Sequence, residues 1–368
     1  MALPGSGTIS LSDIFYEFPG TLDDPTSAAP VGIDEYYRGG TYVPYISANY
    51  GIPTSGTIAF NNFYNGVGYF NFEQTWSGGS VYNYNLINQL VSGGWDSVKP
   101  VYAKITISST STFLSPYSTS PACYIGDLPL GSTVILTIAS GARIEGQSGL
   151  VLNGGIGLLV EFSNTRIYNY GTIYGGAGKG GKGQGTLYSP NTFYPGETGG
   201  NGGHALYLNI PTLRGSYPTI YNYGTIAGGG GGGGGGGQYC IATTCSGTPT
   251  FCANGGGGGG GRGGPLTNII FANGGNGGQP AGFNCDGDGP YSTGGAGTGG
   301  SVSYAGAGGA AGTNSGATGG VGGNGGNWGE SGYTGEDGYG GGDGGAAKTT
   351  VAGSSTTVVQ GFTYGVWA

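Results

Sequence analysis

Residues 219–229 read TIYNYGTIAGG, and the glycine run that begins there continues without interruption to Gly237. An earlier copy, RIYNYGTIYGG, occupies residues 166–176 and also leads into glycine-rich sequence. β-branched and aromatic residues dominate both copies, which is typical of strands. The repeat therefore predicts two related strands, each of which passes directly into a glycine tract.

The glycine tracts themselves have a period of three. Gly-Gly-X triplets occupy residues 199–204, 274–279, 322–327 and 341–346. This period matches the polyproline-II helix, which has three residues per turn and a rise of about 3.1 Å per residue. Collagen shares the geometry but needs an unbroken Gly-X-Y register and abundant proline, which this chain lacks. Flexible glycine linkers would need no triplet period at all.

Energetics indicate how such tracts could be ordered. Glycine supplies 92 of the 368 residues, and it loses more backbone freedom on folding than any other residue while burying no side chain. Order is therefore expected only if many tracts pack side by side and hydrogen-bond through their backbones at close range. We expect residues 171–368 to form a C-terminal bundle of polyglycine-II helices with aromatic loops.

The preceding segment, residues 66–170, is β-rich. The stretch VYAKITI at 101–107 alternates apolar with polar residues, and VILTI at 134–138 and LLVEF at 158–162 are further apolar runs. The pattern predicts a connector domain that is either a β-sandwich or a short β-solenoid. The fold class expected for the whole chain is mainly β plus irregular structure.

Residues 1–65 contain a second repeat, SGTISLSDI at 6–14 and SGTIAFNNF at 55–63. Ser10 or Ser12 is a suitable cap for a short helix over residues 13–18. The segment has too few apolar positions to promise an independent core. It could be a small N-terminal domain, but we favour a docking segment that folds against a partner.

Charge and targeting signals argue against a nucleic-acid-binding, secreted or membrane-inserted protein. The net charge is −8 and no basic patch is visible, which argues against nucleic acid as a partner. The N-terminus lacks the charged and apolar regions of a signal peptide, and no apolar run is long enough for membrane insertion. The abundance of Tyr, Asn, Ser and Thr suits an external surface, so we expect a virion component made in the host cytoplasm and released by lysis.

The loops between the glycine tracts differ in composition from the tracts. They combine aromatic residues with Ser, Asn and Gly, as adaptable binding loops do, and Tyr and Trp are common in binding hot spots. The alternative is that these aromatics only cap the bundle. The candidate receptor-binding residues are Tyr188, Phe193, Tyr194, Tyr239, Phe251, Phe283, Tyr291, Tyr304, Trp328, Tyr333 and Tyr339.

Catalytic signals are weak. His204 is the only histidine and occupies the X position of a triplet, and neither a nucleophile elbow nor a phosphate-binding loop is present. We expect no enzyme activity, no cofactor and no metal. Cys240, Cys245 and Cys252 are close in sequence; a loop disulfide, free thiols and a zinc site are all open, and Cys285 is a further candidate for pairing.

The repeat at 167–176 and 220–229, together with the closing stretch from Gly344 to Val366, resembles the tail-fibre-tip adhesins of T-even-type bacteriophages. The resemblance covers about residues 135–368. It implies stacked polyglycine-II helices that present loops to a bacterial surface receptor, either an outer-membrane protein or a glycan. The repeat in residues 6–65 looks like segments near the N-termini of phage structural and tail proteins.

These observations lead to one expectation and one alternative. The chain is expected to be a phage adhesin of the tail fibre or tail tip, with docking through residues 1–65 and receptor binding through the loops of residues 171–368. The alternative is a capsid decoration, cement or head-fibre protein that uses the same scaffold.

Overall fold

The structure is a computed structural model of the chain. It describes residues 3–18, 33–40, 42–117, 119–148, 153–183, 185–187, 192–194, 196–210, 218–241, 251–253, 261, 295–298, 305–311, 313–314, 317–318, 320–338, 340–344, 348–352, 356–359 and 362–364.

The described residues include few helices, and these are short. Helix α1 (Leu11–Glu17) begins after Ser10, whose side chain accepts a hydrogen bond from the Asp13 amide at 3.1 Å while Asp13 accepts one from the Ser10 amide at 2.8 Å. This capping box confirms a short helix here and selects Ser10 over Ser12 as its cap. The other helices are α2 (Leu86–Ser92) and the 3₁₀ turns Ile33–Tyr36, Ser47–Asn49 and Phe60–Phe63.

Residues 3–68, within the described ranges, form what we call the N-terminal unit. Phe18, Val43 and Ile52 are fully buried there, and Phe63 packs against Phe18 with ring centroids 5.8 Å apart. The expectation that this segment has too few apolar residues for a core was wrong. The two repeat copies lie far apart in sequence, but both contribute side chains to one cluster.

Most of the remaining regular structure consists of short strands. Those of the first half of the chain are β1 (Phe70–Trp76), β2 (Gly79–Tyr82), β3 (Tyr84–Asn85), β4 (Val101–Ile107), β5 (Ser111–Leu114), β6 (Cys123–Ile125), β7 (Thr133–Ile138), β8 (Arg143–Glu145), β9 (Leu158–Val160), β10 (Thr165–Asn169) and β11 (Thr172–Tyr174). Those of the second half are β12 (Gly185–Leu187), β13 (Thr192–Tyr194), β14 (Leu206–Asn209), β15 (Thr219–Asn222), β16 (Thr225–Ala227), β17 (Tyr239–Ile241), β18 (Phe251–Ala253), β19 (Thr313–Asn314), β20 (Ala317–Thr318), β21 (Lys348–Ala352), β22 (Thr356–Val359) and β23 (Phe362–Tyr364).

Three parallel sheets organise these strands. The first has the order β1-β4-β7-β10-β15-β22, the second β2-β5-β8-β11-β16-β23, and the third β21-β14-β9-β6-β3. Apart from β12, β13 and β17 to β20, which form separate hairpins, consecutive strands belong to the first, second and third sheets in turn, so the backbone winds as a β-solenoid. Of the two architectures left open by the sequence, the solenoid is the one observed.

The repeat at residues 166–176 and 219–229 produces neighbouring coils in register. Tyr168 pairs with Tyr221 and Asn169 with Asn222. The two tyrosine rings stack 4.7 Å apart, and the buried Asn169 amide donates to the Asn222 side-chain oxygen at 2.7 Å. The repeat is therefore a ladder of like side chains, which requires parallel in-register coils.

The solenoid core follows the alternation seen in the sequence. In β4, Val101, Ala103, Ile105 and Ile107 are buried, while the residues between them are partly or fully exposed. The same alternation in β7 and β10 brings their apolar residues into one contiguous core.

The glycine tracts are insertions in this solenoid. Phe70 pairs with Val101 in the first sheet, whereas Arg166 pairs with Thr219 and Thr219 with Thr356, so the later coils are much longer. The added length lies between the second-sheet and third-sheet strands, after β11 and again after β16. The division at residues 170 and 171 reflects composition, because the sheets continue across it up to β23.

The tract from Gly228 to Gly237 is entirely buried, although it carries no side chains. Gly229, Gly232 and Gly235 donate backbone hydrogen bonds to Gly203, Gly200 and Glu197, at 2.9, 2.8 and 3.1 Å. Gly231, Gly234 and Gly237 donate to Glu330, Tyr333 and Glu336, at 2.9, 2.9 and 3.0 Å. Each neighbour is therefore contacted at every third residue.

Burial follows the same period. In residues 322–327 both glycines of each Gly-Gly-Asn triplet are buried, and Asn324 and Asn327 are exposed. The Asn324 side chain also accepts a hydrogen bond from the Gly308 amide at 2.9 Å. The glycines thus face neighbouring backbones, and the X residues lie at the surface.

One buried carboxyl stands out within the second sheet. Glu145 pairs with Leu114 on one side and Tyr174 on the other, and it is fully buried. Neither carboxyl oxygen has a hydrogen-bond partner among the described residues, and the Arg143 guanidinium is 3.9 Å away. Burial raises the pKa of Glu145 to about 8, and the nearby Arg143 charge offsets only part of this effect.

The contribution of Glu145 to the stability of the protein should therefore fall as pH rises. The folded state binds the Glu145 proton up to about pH 8, whereas the unfolded chain releases it near pH 4.5. The stability contributed by the neutral carboxyl is complete below pH 4.5 and is lost toward pH 8, by up to about 1.4 kcal/mol per pH unit. In denaturant titrations between pH 5 and 8.5, Glu145→Gln should flatten this slope and the exposed-site control Glu73→Gln should not. An unchanged slope in Glu145→Gln would contradict the assignment.

Close backbone approach in the glycine bundle gives a second prediction. A Cβ at Gly233 would overlap the carbonyl of Gly323, whereas a Cβ at Gly340 would meet nothing within 4 Å. Gly233→Ala should lower the free energy of unfolding by about 1–3 kcal/mol or more, and Gly340→Ala should change it by less than about 0.5 kcal/mol. Chemical denaturation of both variants measures this; equal effects would rule out tight packing around Gly233.

Candidate functional site

The two long glycine insertions leave the solenoid side by side. Gly175 directly follows β11, and Gly228 directly follows β16. Gly178 donates to Gly230 at 2.9 Å and Gly181 donates to Gly233 at 2.8 Å, so the tracts run in the same direction. We call the end of these tracts near Gly183 and Gly237, away from the solenoid, the distal end.

Three hairpins of the described residues follow the glycine tracts. β12, which pairs antiparallel with β13, begins two residues after Gly183, and β17, which pairs antiparallel with β18, begins two residues after Gly237. β19 pairs with β20, and this hairpin lies against β17 and β18. Gly320, which follows β20, donates to Gly237 at 2.8 Å. The distal end is therefore built from short hairpins mounted on glycine backbone.

Several candidate aromatics occupy these hairpins. Phe193 and Tyr194 lie in β13, Tyr239 in β17 and Phe251 in β18. The structure describes the backbone positions of these four residues but not their side chains. Tyr188, Phe283, Tyr291, Tyr304 and Tyr339 lie outside the described residues.

Trp328 is separated from this group. The amide of Gly329 donates to Gly228 at 2.9 Å, which places the Trp328 turn at the solenoid end of the bundle. The Trp328 ring stacks on Tyr174 of β11 with centroids 5.2 Å apart. Trp328 therefore joins the bundle to the solenoid, and sequence composition alone grouped it with the loop aromatics.

Tyr333 lies along the side of the bundle. Its carbonyl accepts a hydrogen bond from Gly234, and its side chain is 62% exposed. Of the candidate residues whose side chains the structure describes, Tyr333 is thus the one open to an external partner.

The cysteine and histidine positions are also informative. The register of β17 and β18 puts Cys240 directly opposite Cys252, whereas Cys245 and Cys285 lie outside the described residues. His204 is half-buried, its ring stacks 5.5 Å from Tyr207, and burial lowers its pKa. Within the described ranges, no group of three or more His, Cys, Asp and Glu side chains is arranged to hold a metal ion.

Two exposed aromatic features were missed in the sequence. Tyr170 and Tyr223 stack 5.0 Å apart on the flank of the solenoid, and both are more than 40% exposed. In the N-terminal unit, the Arg38 guanidinium lies over the exposed rings of Tyr45 and Tyr50. The sequence repeat could have predicted the Tyr170–Tyr223 pair, but no local sequence pattern predicts the cluster of Arg38 with Tyr45 and Tyr50.

The part of the chain that the structure describes includes no helix with the length and apolar character needed to cross a membrane.

Comparison with known proteins identifies the family. The family model described as phage tail fibre adhesin Gp38 matches residues 71–186 and 154–368. The crystal structure of the gp37-gp38 adhesin tip complex of the bacteriophage S16 long tail fiber matches with a TM-score of 0.39 and 21% identity, covering 86% of this chain and 88% of that chain. A search of curated proteins gave no match.

The family match extends over the solenoid from β1 onward and over all the glycine tracts. It leaves the N-terminal unit outside. Because the family model accounts for far more than half of the sequence, this chain belongs to the Gp38 family of phage tail fibre adhesins.

Proposed function

We propose that this tail adhesin binds a bacterial surface receptor through the hairpins and loops at the distal end of its glycine bundle. The observation that carries the proposal is the position of these hairpins: they stand at the end of backbone-bonded tracts, beyond the solenoid. A rigid base with variable loops at one end is a common arrangement for recognition. The receptor would be an outer-membrane protein or a surface glycan.

We also propose that the bundle consists of polyglycine-II helices. Hydrogen bonds to each neighbour at every third residue, and buried glycines with exposed X residues, support this geometry. At about 3.1 Å per residue, the ten glycines from Gly228 to Gly237 would carry the distal hairpins about 30 Å from the solenoid. This reach would give a receptor access to the loops without contact with the sheets.

Residues 1–65 are proposed to attach the chain to another virion protein, and residues 66–170 to form the connector. The N-terminal unit has its own core, and it contacts the solenoid where the first coils begin. The glycine tracts leave from later coils, after β11 and β16. Attachment and receptor binding would then use separate parts of the chain.

The family to which the chain belongs consists of adhesins, and adhesion is a non-enzymatic role. It favours a tail position over the decoration of a capsid. Antibody labelling of intact particles would distinguish the two, because a tail adhesin is present in few copies at one end, whereas a decoration protein covers the head.

Competition for adsorption tests the receptor proposal. Purified wild-type protein should slow adsorption of the phage to its host, and the double variant Phe193→Ala, Tyr194→Ala should need at least tenfold more protein for the same effect, because it lacks aromatic contact area at the distal end. The matched control is Tyr170→Ala, Tyr223→Ala on the flank of the solenoid, which should compete like the wild type. No competition by wild-type protein would argue against the proposal, and so would a loss confined to the flank variant.

A further inference from the structure

The N-terminal unit is the part of the chain that the family match leaves out, since the match begins at residue 71. It is joined firmly to the solenoid. The Glu17 carboxylate lies 2.7 Å from the Lys99 ammonium and also accepts a hydrogen bond from the Gly68 amide at 2.9 Å. Lys99 lies two residues before the buried start of β4, so a partner held by the N-terminal unit would fix the orientation of the whole adhesin.

The N-terminal unit has one basic side chain. Arg38 is the only Lys or Arg among residues 1–65, which contain six Asp and Glu. Its guanidinium carbon lies 4.9 Å from the ring centroid of Tyr45 and 4.5 Å from that of Tyr50. Cation–π attraction to two rings holds the guanidinium in one place, while its amide donates to Pro53 at 3.0 Å and fixes the backbone.

The donors of this guanidinium meet no acceptor in the part of the N-terminal unit that the structure describes. Within the described residues the Arg38 side chain makes no hydrogen bond or ion pair, and its Nε atom is buried without an acceptor. Of the described carboxylates of this unit, Asp13 bonds with Ser10 and Glu17 with Lys99, and Glu35 also interacts with a partner. An unsatisfied buried N–H is costly, so an acceptor supplied from outside the chain would be bound favourably.

The surroundings suit a protein partner. Tyr45 and Tyr50 are 61% and 68% exposed, and arginine with tyrosine is the composition of interface hot spots. Tyr45 also lines a cavity of about 190 Å³ between the N-terminal unit and the solenoid, together with Leu130, Ser132, Phe162 and Asn164. A guanidinium beside a cavity can accept a charged side chain and an apolar neighbour from one segment.

We propose that Arg38, Tyr45 and Tyr50 form the docking site for a carboxylate-bearing segment of the virion protein that carries this adhesin. The inference rests on the proposed attachment role of residues 1–65 and specifies the chemistry of the partner. Carboxylate is the matching group because the guanidinium fork bonds its two oxygens in one plane. The flanking tyrosines hold the guanidinium in a fixed position.

Incorporation into particles tests the site. Phage carrying Arg38→Gln should assemble with at least tenfold less adhesin per virion than the wild type, measured by immunoblot against the major capsid protein. Arg38→Lys should give an intermediate amount of adhesin per virion, because lysine keeps the positive charge but cannot bond both carboxylate oxygens as the planar guanidinium does. The matched control, Arg166→Gln, removes an exposed arginine of the first sheet and should assemble normally. Wild-type occupancy of Arg38→Gln would overturn the proposal.

Two further measurements keep the outcome interpretable. Purified Arg38→Gln should unfold at the wild-type denaturant concentration; if it does not, Tyr50→Leu, which removes one ring and no charge, takes its place in the assembly assay. A photo-crosslinking amino acid at position 50 should link the adhesin, in purified virions, to a peptide that contains Asp or Glu. A crosslink to a second copy of this chain, or to a peptide without an acidic residue, would overturn the proposal.

Failure of the site can be separated from failure of the attachment role. If Arg38→Gln particles carry normal adhesin while antibodies against residues 1–65 fail to bind intact virions, the attachment role holds and the Arg38 site alone is wrong. If such antibodies bind intact virions freely and do not displace the adhesin, the attachment role itself is wrong.

Discussion

Direct hydrogen bonding between glycine backbones is the constraint on which the rest of this adhesin depends. The tract from Gly228 to Gly237 is buried with no side chain of its own, because its neighbours approach closely enough to bond its amides and carbonyls. At most described positions of the bundle a Cβ would overlap a neighbouring carbonyl. The absence of side chains is thus what permits burial. Each backbone hydrogen bond contributes little free energy, but the many bonds between the tracts together offset the high entropic cost of ordering glycine.

The solenoid supplies what the glycine bundle lacks. It has a conventional apolar core, and parallel coils that keep like residues in register, as in the Tyr168–Tyr221 stack and the Asn169–Asn222 hydrogen bond. Each tract starts at the end of a second-sheet strand and returns to a third-sheet strand. The start and return points of neighbouring tracts are therefore already aligned, which lowers the cost of bringing the tracts together.

The same construction separates the surfaces of the molecule. The hairpins at the distal end follow glycine tracts that are joined to one another by backbone hydrogen bonds. Trp328, by contrast, lies at the base and packs on Tyr174. The N-terminal unit is a third region, with its own core and a rigid ion-pair connection to the solenoid.

The sequence by itself determined the strand content, the triplet period of the tracts, the Ser10-capped helix and the resemblance to tail-fibre adhesins, because each follows from local pattern or motif. It could not choose between sandwich and solenoid, since alternation along a strand is the same in both. It also misjudged the N-terminal core and grouped Trp328 with the loop residues. Only the tertiary structure decided that the tracts are insertions, which tracts are neighbours, and that Arg38 meets Tyr45 and Tyr50. The physical reason for the tracts is that glycine has no side chain that could distinguish one neighbouring tract from another. The Arg38 cluster was not predictable because its three residues come together only when the chain folds.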